Sequence, residues 1–180
     1  DEIREIAEKI GLLVANKPDS QDICFVPDGD YAAYIEENAG VTIPEGNFVT
    51  LDGKVLGKHK GIIHYTVGQR KGLGLSLGYP AFVLEIRPET NEVVIGTNED
   101  SMTTTLKANR VNFMSVEDLP EPKRVFAKIR YNHKGAWCTV EKTGEDEITC
   151  TFEEPQRAVT PGQAVVLYDG EYVLGGGTII

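Results

Sequence analysis

The spacing of apolar residues changes near position 41, from a helical repeat to short alternating runs. Ile3, Ile6, Ala7 and Ile10 recur at helical spacing and Gly11 stops them, which predicts the end of an amphipathic helix over 1–10. Leu12–Ser20 reads as a connector. Ile23-Cys24-Phe25-Val26 is a brief apolar run closed by Pro27. Asp28 or Asp30 can cap a second helix with Tyr31, Tyr34 and Ile35 as its buried stripe, ending near Gly40. Beyond Val41, Phe48–Leu51 and Lys54–Leu56 flank Asp52-Gly53, the signal of a hairpin with a type I′ turn. Ala81–Arg87 and Glu92–Gly96 form a second strand pair. Five more strands are predicted at Val125–Tyr131, Ala136–Lys142, Glu147–Phe152, Ala164–Tyr168 and Glu171–Leu174, separated by glycine-bearing turns.

This pattern predicts a mainly β chain, α+β at its N-terminal end. Residues 1–40 are a helical tail with a cysteine-bearing linker. Residues 41–102 form a small hairpin-rich central domain, and 103–180 a C-terminal antiparallel β-barrel, with Met102–Leu106 as the boundary. Hydrophobic content of 41% and charged content of 26% fit a folded globular chain. The apolar runs are too short to span a membrane, and Asp1-Glu2-Ile3-Arg4 lacks the layout of a secretion signal. Because 1–10 reads as mid-helix, the chain is expected to be a fragment. The three cysteines, Cys24, Cys138 and Cys150, lack C-x-x-C spacing, which argues against a disulfide framework or zinc site and for a reducing cytoplasm.

Net charge of −10 argues against nucleic acid until its distribution is considered. The windows 54–71 and 123–140 together hold ten of the 18 basic residues and none of the 28 acidic ones. Such segregation points to an anionic partner on a limited face. Solvated strand faces are the plainer explanation. Within the first window, Gly68–Gly74 is a basic glycine-rich loop carrying Arg70 and Lys71. It lacks G-x-x-x-x-G-K-[ST] and a strand–helix frame. In the second, Arg130-Tyr131 pairs a cation with a stacking ring, an arrangement that holds unpaired bases.

Cys24 in its apolar run reads first as a small buried hydrophobe. The polar Asp19-Ser20-Gln21-Asp22 before it and a helix start after it are features of a thiol with a lowered pKa. Cys138 and Cys150 fit core or face positions in strands. His59, His64 and His133 lack the spacing and acidic partners of a metal site, so phosphate contact or simple exposure is the expectation.

Five strings occur in order: Ser20–Val26, Tyr65–Gly74, Lys128–Tyr131, Glu154–Gln163 and Leu174–Gly177. Together they resemble the bacterial tRNA-specific 2-thiouridylases across essentially the whole chain. That resemblance implies 2-thiouridine synthesis at the wobble position of tRNA, with Cys24 carrying the sulfur as a persulfide. It implies Mg-dependent ATP activation of the uridine by an N-terminal ATP-pyrophosphatase domain, whose S-G-G-x-D-S string does not occur here. The fragment alone is therefore expected to bind no ATP and to be inactive. A cysteine desulfurase or sulfur-relay protein is the implied donor, and a second cysteine in that other domain is expected to leave a disulfide with Cys24. The implied tRNA contacts are Arg130, Tyr131 and Gln163. Arg70 and Lys71 join them on charge segregation alone. The alternatives are a non-catalytic RNA-binding barrel with Cys24 merely buried, and a barrel that docks a protein. Residues 20–40 are expected to be mobile without the ATP domain and RNA.

Overall fold

The computed structural model describes residues 2–17, 26, 29–40 and 43–180. It comprises two compact units, Asp1–Thr42 and Ile43–Ile180. In the first, helix α1 spans Glu2–Lys9 and α2 spans Tyr31–Asn38. Asp30 caps α2, its carboxylate accepting from the Ala33 amide at 3.0 Å. Ala32 is the buried residue of α2. Tyr31, Tyr34 and Ile35, expected as its buried stripe, are each exposed. Of the segment expected to be mobile, residues 20–25, 27 and 28 lie outside the described residues. No helix among those described is long and apolar enough to cross a membrane.

The regular structure of the second unit is strand apart from two short 3₁₀ turns, with irregular connections such as 65–81. Strands β1 (Gly46–Val49), β2 (Val55–His59), β3 (Phe82–Arg87) and β4 (Glu92–Gly96) form a sheet in the order β2-β1-β4-β3. β1 pairs antiparallel with β2 but parallel with β4, a pairing that local hairpin signals cannot reveal. The first hairpin also turns differently from the expected type I′. Gly53 has φ +84, whereas Asp52 is not among the positive-φ residues. The Gly53 amide donates to Thr50 O at 2.9 Å, and the Thr50 amide to Lys54 O at 2.9 Å. This is a three-residue loop with glycine in the left-handed position. Asp52 avoids that region because a side chain makes it costly, and its carboxylate accepts the Thr50 hydroxyl instead.

Six strands close into a fully antiparallel barrel in the order β10-β5-β8-β7-β6-β9. They are β5 (Met102–Phe113), β6 (Lys123–Lys128), β7 (Ala136–Gly144), β8 (Glu147–Arg157), β9 (Ala164–Asp169) and β10 (Tyr172–Ile179). The mainly β class and the C-terminal antiparallel barrel therefore stand. β5 is not among the strands expected from sequence, and it begins within Met102–Leu106, the segment expected to hold the domain boundary. Only Leu106 and Ala108 of β5 are buried, so its hydrophobic alternation is weak. At Arg110 (φ 51) it bends, and the Asp146 carboxylate takes the Arg110 and Val111 amides at 3.1 and 2.7 Å.

β10 runs past its expected end at Leu174 through Gly175-Gly176-Gly177. A Cβ at these positions would lie 2.4 Å from Asn112 O, 2.3 Å from Val165 O and 2.7 Å from Asn109 O. Glycine is required there because the neighbouring backbones leave no room for a side chain.

The central sheet has its own core of Phe48, Tyr65, Leu73, Val83, Val93 and Ile95, with His59 beside it. The His59 ring is 2% exposed and sits edge-on to Phe48 and Tyr65. The Gly61 amide donates to Nδ1 at 3.1 Å, so Nε2 carries the proton and donates to Asn91 O at 3.2 Å. His59 is thus a satisfied core residue rather than the phosphate contact or exposed side chain expected. Burial holds its pKa below the ordinary imidazole value, against the Asn91 carbonyl, which acts the other way. As pH falls through about 6.5, the unfolded chain gains a proton that the folded chain refuses, so stability falls. The midpoint of thermal unfolding is expected to drop between pH 7.5 and 5.5, above the range where carboxylates titrate. A flat midpoint across that interval would contradict the neutral, buried His59.

Candidate nucleic-acid interface

β6 and β9 pair with Phe126 opposite Tyr168 and Lys128 opposite Val166. Strand alternation turns Val125, Ala127, Ile129, Val165 and Leu167 into the barrel core. The intervening residues face outward, where Lys128, Arg130, Tyr131, Gln163, Val166 and Tyr168 help line a concavity of about 370 Å³. All three tRNA contacts implied by the resemblance, Arg130, Tyr131 and Gln163, meet in this one place. Tyr131 is 96% exposed, so its ring faces are available for stacking. Arg130 is held by donating from Nη1 to Arg157 O at 3.1 Å. The backbone of Gln163 is fixed by the Ile179 amide, 2.8 Å from its carbonyl, while its side chain is exposed. Tyr168 was not singled out from sequence, and Lys128 figured there only within the second basic window and the Lys128–Tyr131 string. Lys128 carries a readable signal, because it lies two residues from Arg130 on the same strand face.

The second basic window loses part of its charge to the fold. Lys123 pairs with Asp169 at 2.7 Å and Arg124 with Glu153 at 2.6 Å, acids that lie far away in sequence. Arg124 also covers the Trp137 ring at 4.0 Å. Among the described residues, Lys128, Arg130 and Lys134 have no carboxylate partner, and neither does any basic side chain of the first window. Arg70 lines a separate groove of about 500 Å³ with Gly72–Ala81, and Lys71 is exposed beside it. These two therefore do not join the Arg130 concavity.

Lys128 and Arg130 stand close enough to His133 to act on its charge. Burial first, then these two cations, push its pKa below the usual imidazole value. The Ile129 amide reaches Nδ1 at 3.5 Å, and Nε2 donates to Gln156 Oε1 at 3.1 Å. With both nitrogens engaged, His133 shapes the turn after β6 rather than reaching for phosphate. His64 is half-buried and stacks edge-on near Tyr65 at 6.5 Å.

The Gly68–Gly74 loop does not fit a nucleotide triphosphate. Its Gly68 amide already donates to Val83 O at 2.8 Å and its Gln69 amide to Thr66 O at 2.9 Å. No helix follows the loop to add a positive terminus. Cys24 lies outside the described residues.

Residues 1–28 match the family described as tRNA methyl transferase HUP domain, 32–97 the tRNA methyl transferase PRC-barrel domain, and 103–179 the aminomethyltransferase beta-barrel domain. The tRNA-specific 2-thiouridylase MnmA of Lachnoclostridium phytofermentans is 66% identical over 180 residues, covering all of this chain and 50% of the relative. Those of Koribacter versatilis and Clostridioides difficile are each 54% identical, over 99% of this chain and 50% of their own length. The chain belongs to the MnmA family. It spans about half the length of the curated relatives it matches.

Within this member of the MnmA family, Cys138 and Cys150 lie in the barrel core on neighbouring strands. The thiol of Cys150, hydrogen-bonded to Cys138 and shut off from water, is pushed far above the usual thiol range. The same contact lowers the pKa of Cys138, but both side chains are fully buried, so both are expected to resist an alkylating agent in the native chain and to react on unfolding. Peptide mass spectrometry after a timed pulse checks this, and native labelling of either would refute it.

Proposed function

We propose that this chain is the part of a tRNA sulfurtransferase that carries the sulfur and grips the RNA. The exposed Tyr131 beside Arg130 and Gln163 is the observation that supports the grip. A planar ring offers stacking to an unpaired base, the guanidinium pairs with phosphate, and the amide hydrogen-bonds a base edge. The central domain over 41–102 and the barrel over 103–180 act as one RNA-binding body, with Arg70 and Lys71 as an outlying phosphate contact. Residues 1–40 are the tail of the catalytic domain.

In this proposal Cys24 is the catalytic residue. A donor such as a cysteine desulfurase loads it as a persulfide. Its terminal sulfur bonds to C2 of the adenylated wobble uridine and displaces the C2 oxygen as AMP. A second cysteine outside these 180 residues attacks the Cys24 sulfur, breaks the S–S bond and leaves a disulfide with Cys24. Activation by ATP is assigned to sequence beyond these 180 residues, which alone are expected to be inactive. The names of the relatives support thiolation over the methyl transfer in the family descriptions.

Two measurements test the proposal. In the full-length protein, Cys24→Ser is expected to abolish tRNA thiolation while leaving tRNA affinity near the parent value. Thiolation that survives the substitution would leave an RNA-binding barrel with a structural cysteine. In the 180-residue chain, Tyr131→Ala is expected to cost about 1–3 kcal/mol of tRNA binding. Arg130→Ala should reduce the slope of log affinity against log salt by about one. Unchanged affinity and slope in both would remove the concavity from the interface.

A further inference from the structure

Arg157, the last residue of β8, is where the central sheet and the barrel meet. Its guanidinium lies over the Phe82 ring, 4.3 Å from the centroid, at the start of β3. Nη2 donates to Gly68 O at 3.3 Å, the first residue of the basic loop. Nε is buried without a partner among the described residues. The carbonyl of the same residue accepts Arg130 Nη1 at 3.1 Å. Just beyond, Ala158 takes φ 53 and its amide donates to Ser101 O at 2.9 Å, which pins the chain at this point.

One residue thus grips the loop through its side chain and the exposed arginine of the barrel through its carbonyl. We propose that Arg157 is a positioning residue, which ties the Gly68–Gly74 loop to Arg130 so that both basic surfaces contact one RNA molecule. The inference rests on the tRNA reading above and adds to it a coupling between two patches that line separate concavities.

The chemistry selects arginine at this point. A flat guanidinium can lie on an aromatic face and donate in its own plane at once. Lysine would bring the same charge without the stack and without a fixed donor direction. The burial of an unpaired Nε has a cost, which the stacking and the Gly68 bond must offset. Gly68 completes the fit from the other side. It has φ +85, and a Cβ there would come within 2.9 Å of Ala158 Cβ, so a side chain would wedge the loop away from the barrel.

The first window adds the reason for coupling. Lys54, Lys58, Lys60, Arg70 and Lys71 have no ion-pair partner among the described residues, whereas the second window is partly neutralised. Charges on a freely moving loop lose more entropy on binding than charges already held in register. Holding Gly68 against the barrel gives Arg70 and Lys71 a defined position relative to Arg130.

The test measures thermal unfolding and binding of unfractionated tRNA across a salt series. It uses the 180-residue chain, Arg130→Ala, Arg157→Lys, their double variant, and Gly68→Ala. Arg157→Lys keeps the net charge, so a purely electrostatic role leaves its binding intact. A positioning role predicts about tenfold weaker binding in Arg157→Lys with a lower salt slope. The double variant should then weaken binding by less than the product of the two single factors. Gly68→Ala, which keeps the guanidinium, is expected to show the same defect and decides the matter should Arg157→Lys not fold. Arg157→Lys or Gly68→Ala that melts lower but binds as the parent does would overturn the coupling. So would strictly multiplicative losses. If Arg130→Ala weakens binding while Arg157→Lys and Gly68→Ala do not, only this inference fails. A parent chain that binds no tRNA sinks it together with the reading it rests on.

Discussion

Strand β10 can close the barrel only because Gly175-Gly176-Gly177 brings bare backbone within van der Waals limits of both β5 and β9. Its two neighbours come from opposite ends of the barrel sequence, so the ring is complete only when the last strand settles between them. The concavity beside Tyr131 depends on that closure. Gln163 is fixed by the Ile179 amide of β10, and β9, which supplies Val166 and Tyr168, is held between β10 and β6. A full circle also leaves no edge strand to recruit another chain, which matters for a small unit with several short strands.

The hairpins and most barrel strands were legible because their signals are local. Alternation marks a strand, glycine marks a turn, and both survive without knowledge of the partner strand. Three features were not legible. The parallel pairing of β1 with β4 depends on which edges are free once both hairpins exist. Strand β5 shows little alternation, because its outward positions are threonine, lysine and asparagine and its inward ones include the small Ala108. The Asp52-Gly53 turn was found at the right place but with the wrong geometry, since one left-handed glycine sufficed and Asp52 had no need to follow it.

Charge segregation was half a guide to the site. Both windows are real in sequence, but a window counts neighbours along the chain, whereas ion pairs form across strands. Asp169 and Glu153 reach Lys123 and Arg124 from strands beyond the window. What remains positive is Lys128, Arg130 and Lys134, the end nearest Tyr131. Folding therefore narrows a diffuse basic stretch to a small patch beside a stacking ring, which suits an RNA contact better than the uncorrected window did. The histidines show the opposite error. His59 and His133 sit among basic residues in sequence, yet in the fold each has both ring nitrogens engaged.

Cys24 and Arg157 mark the two limits of what residues disclose. Composition around Cys24 allows a core residue or a reactive thiol, and only the ordered strings of a family separate the two. Arg157 stands in one of those strings, Glu154–Gln163, where it reads as one more surface cation. Its role follows from three contacts with residues 27, 75 and 89 positions away, none of which leaves a mark nearby. The same physical fact explains why a charge count misassigns it. A guanidinium spent on an aromatic face and a backbone carbonyl contributes to the position of other cations more than to the field an RNA meets.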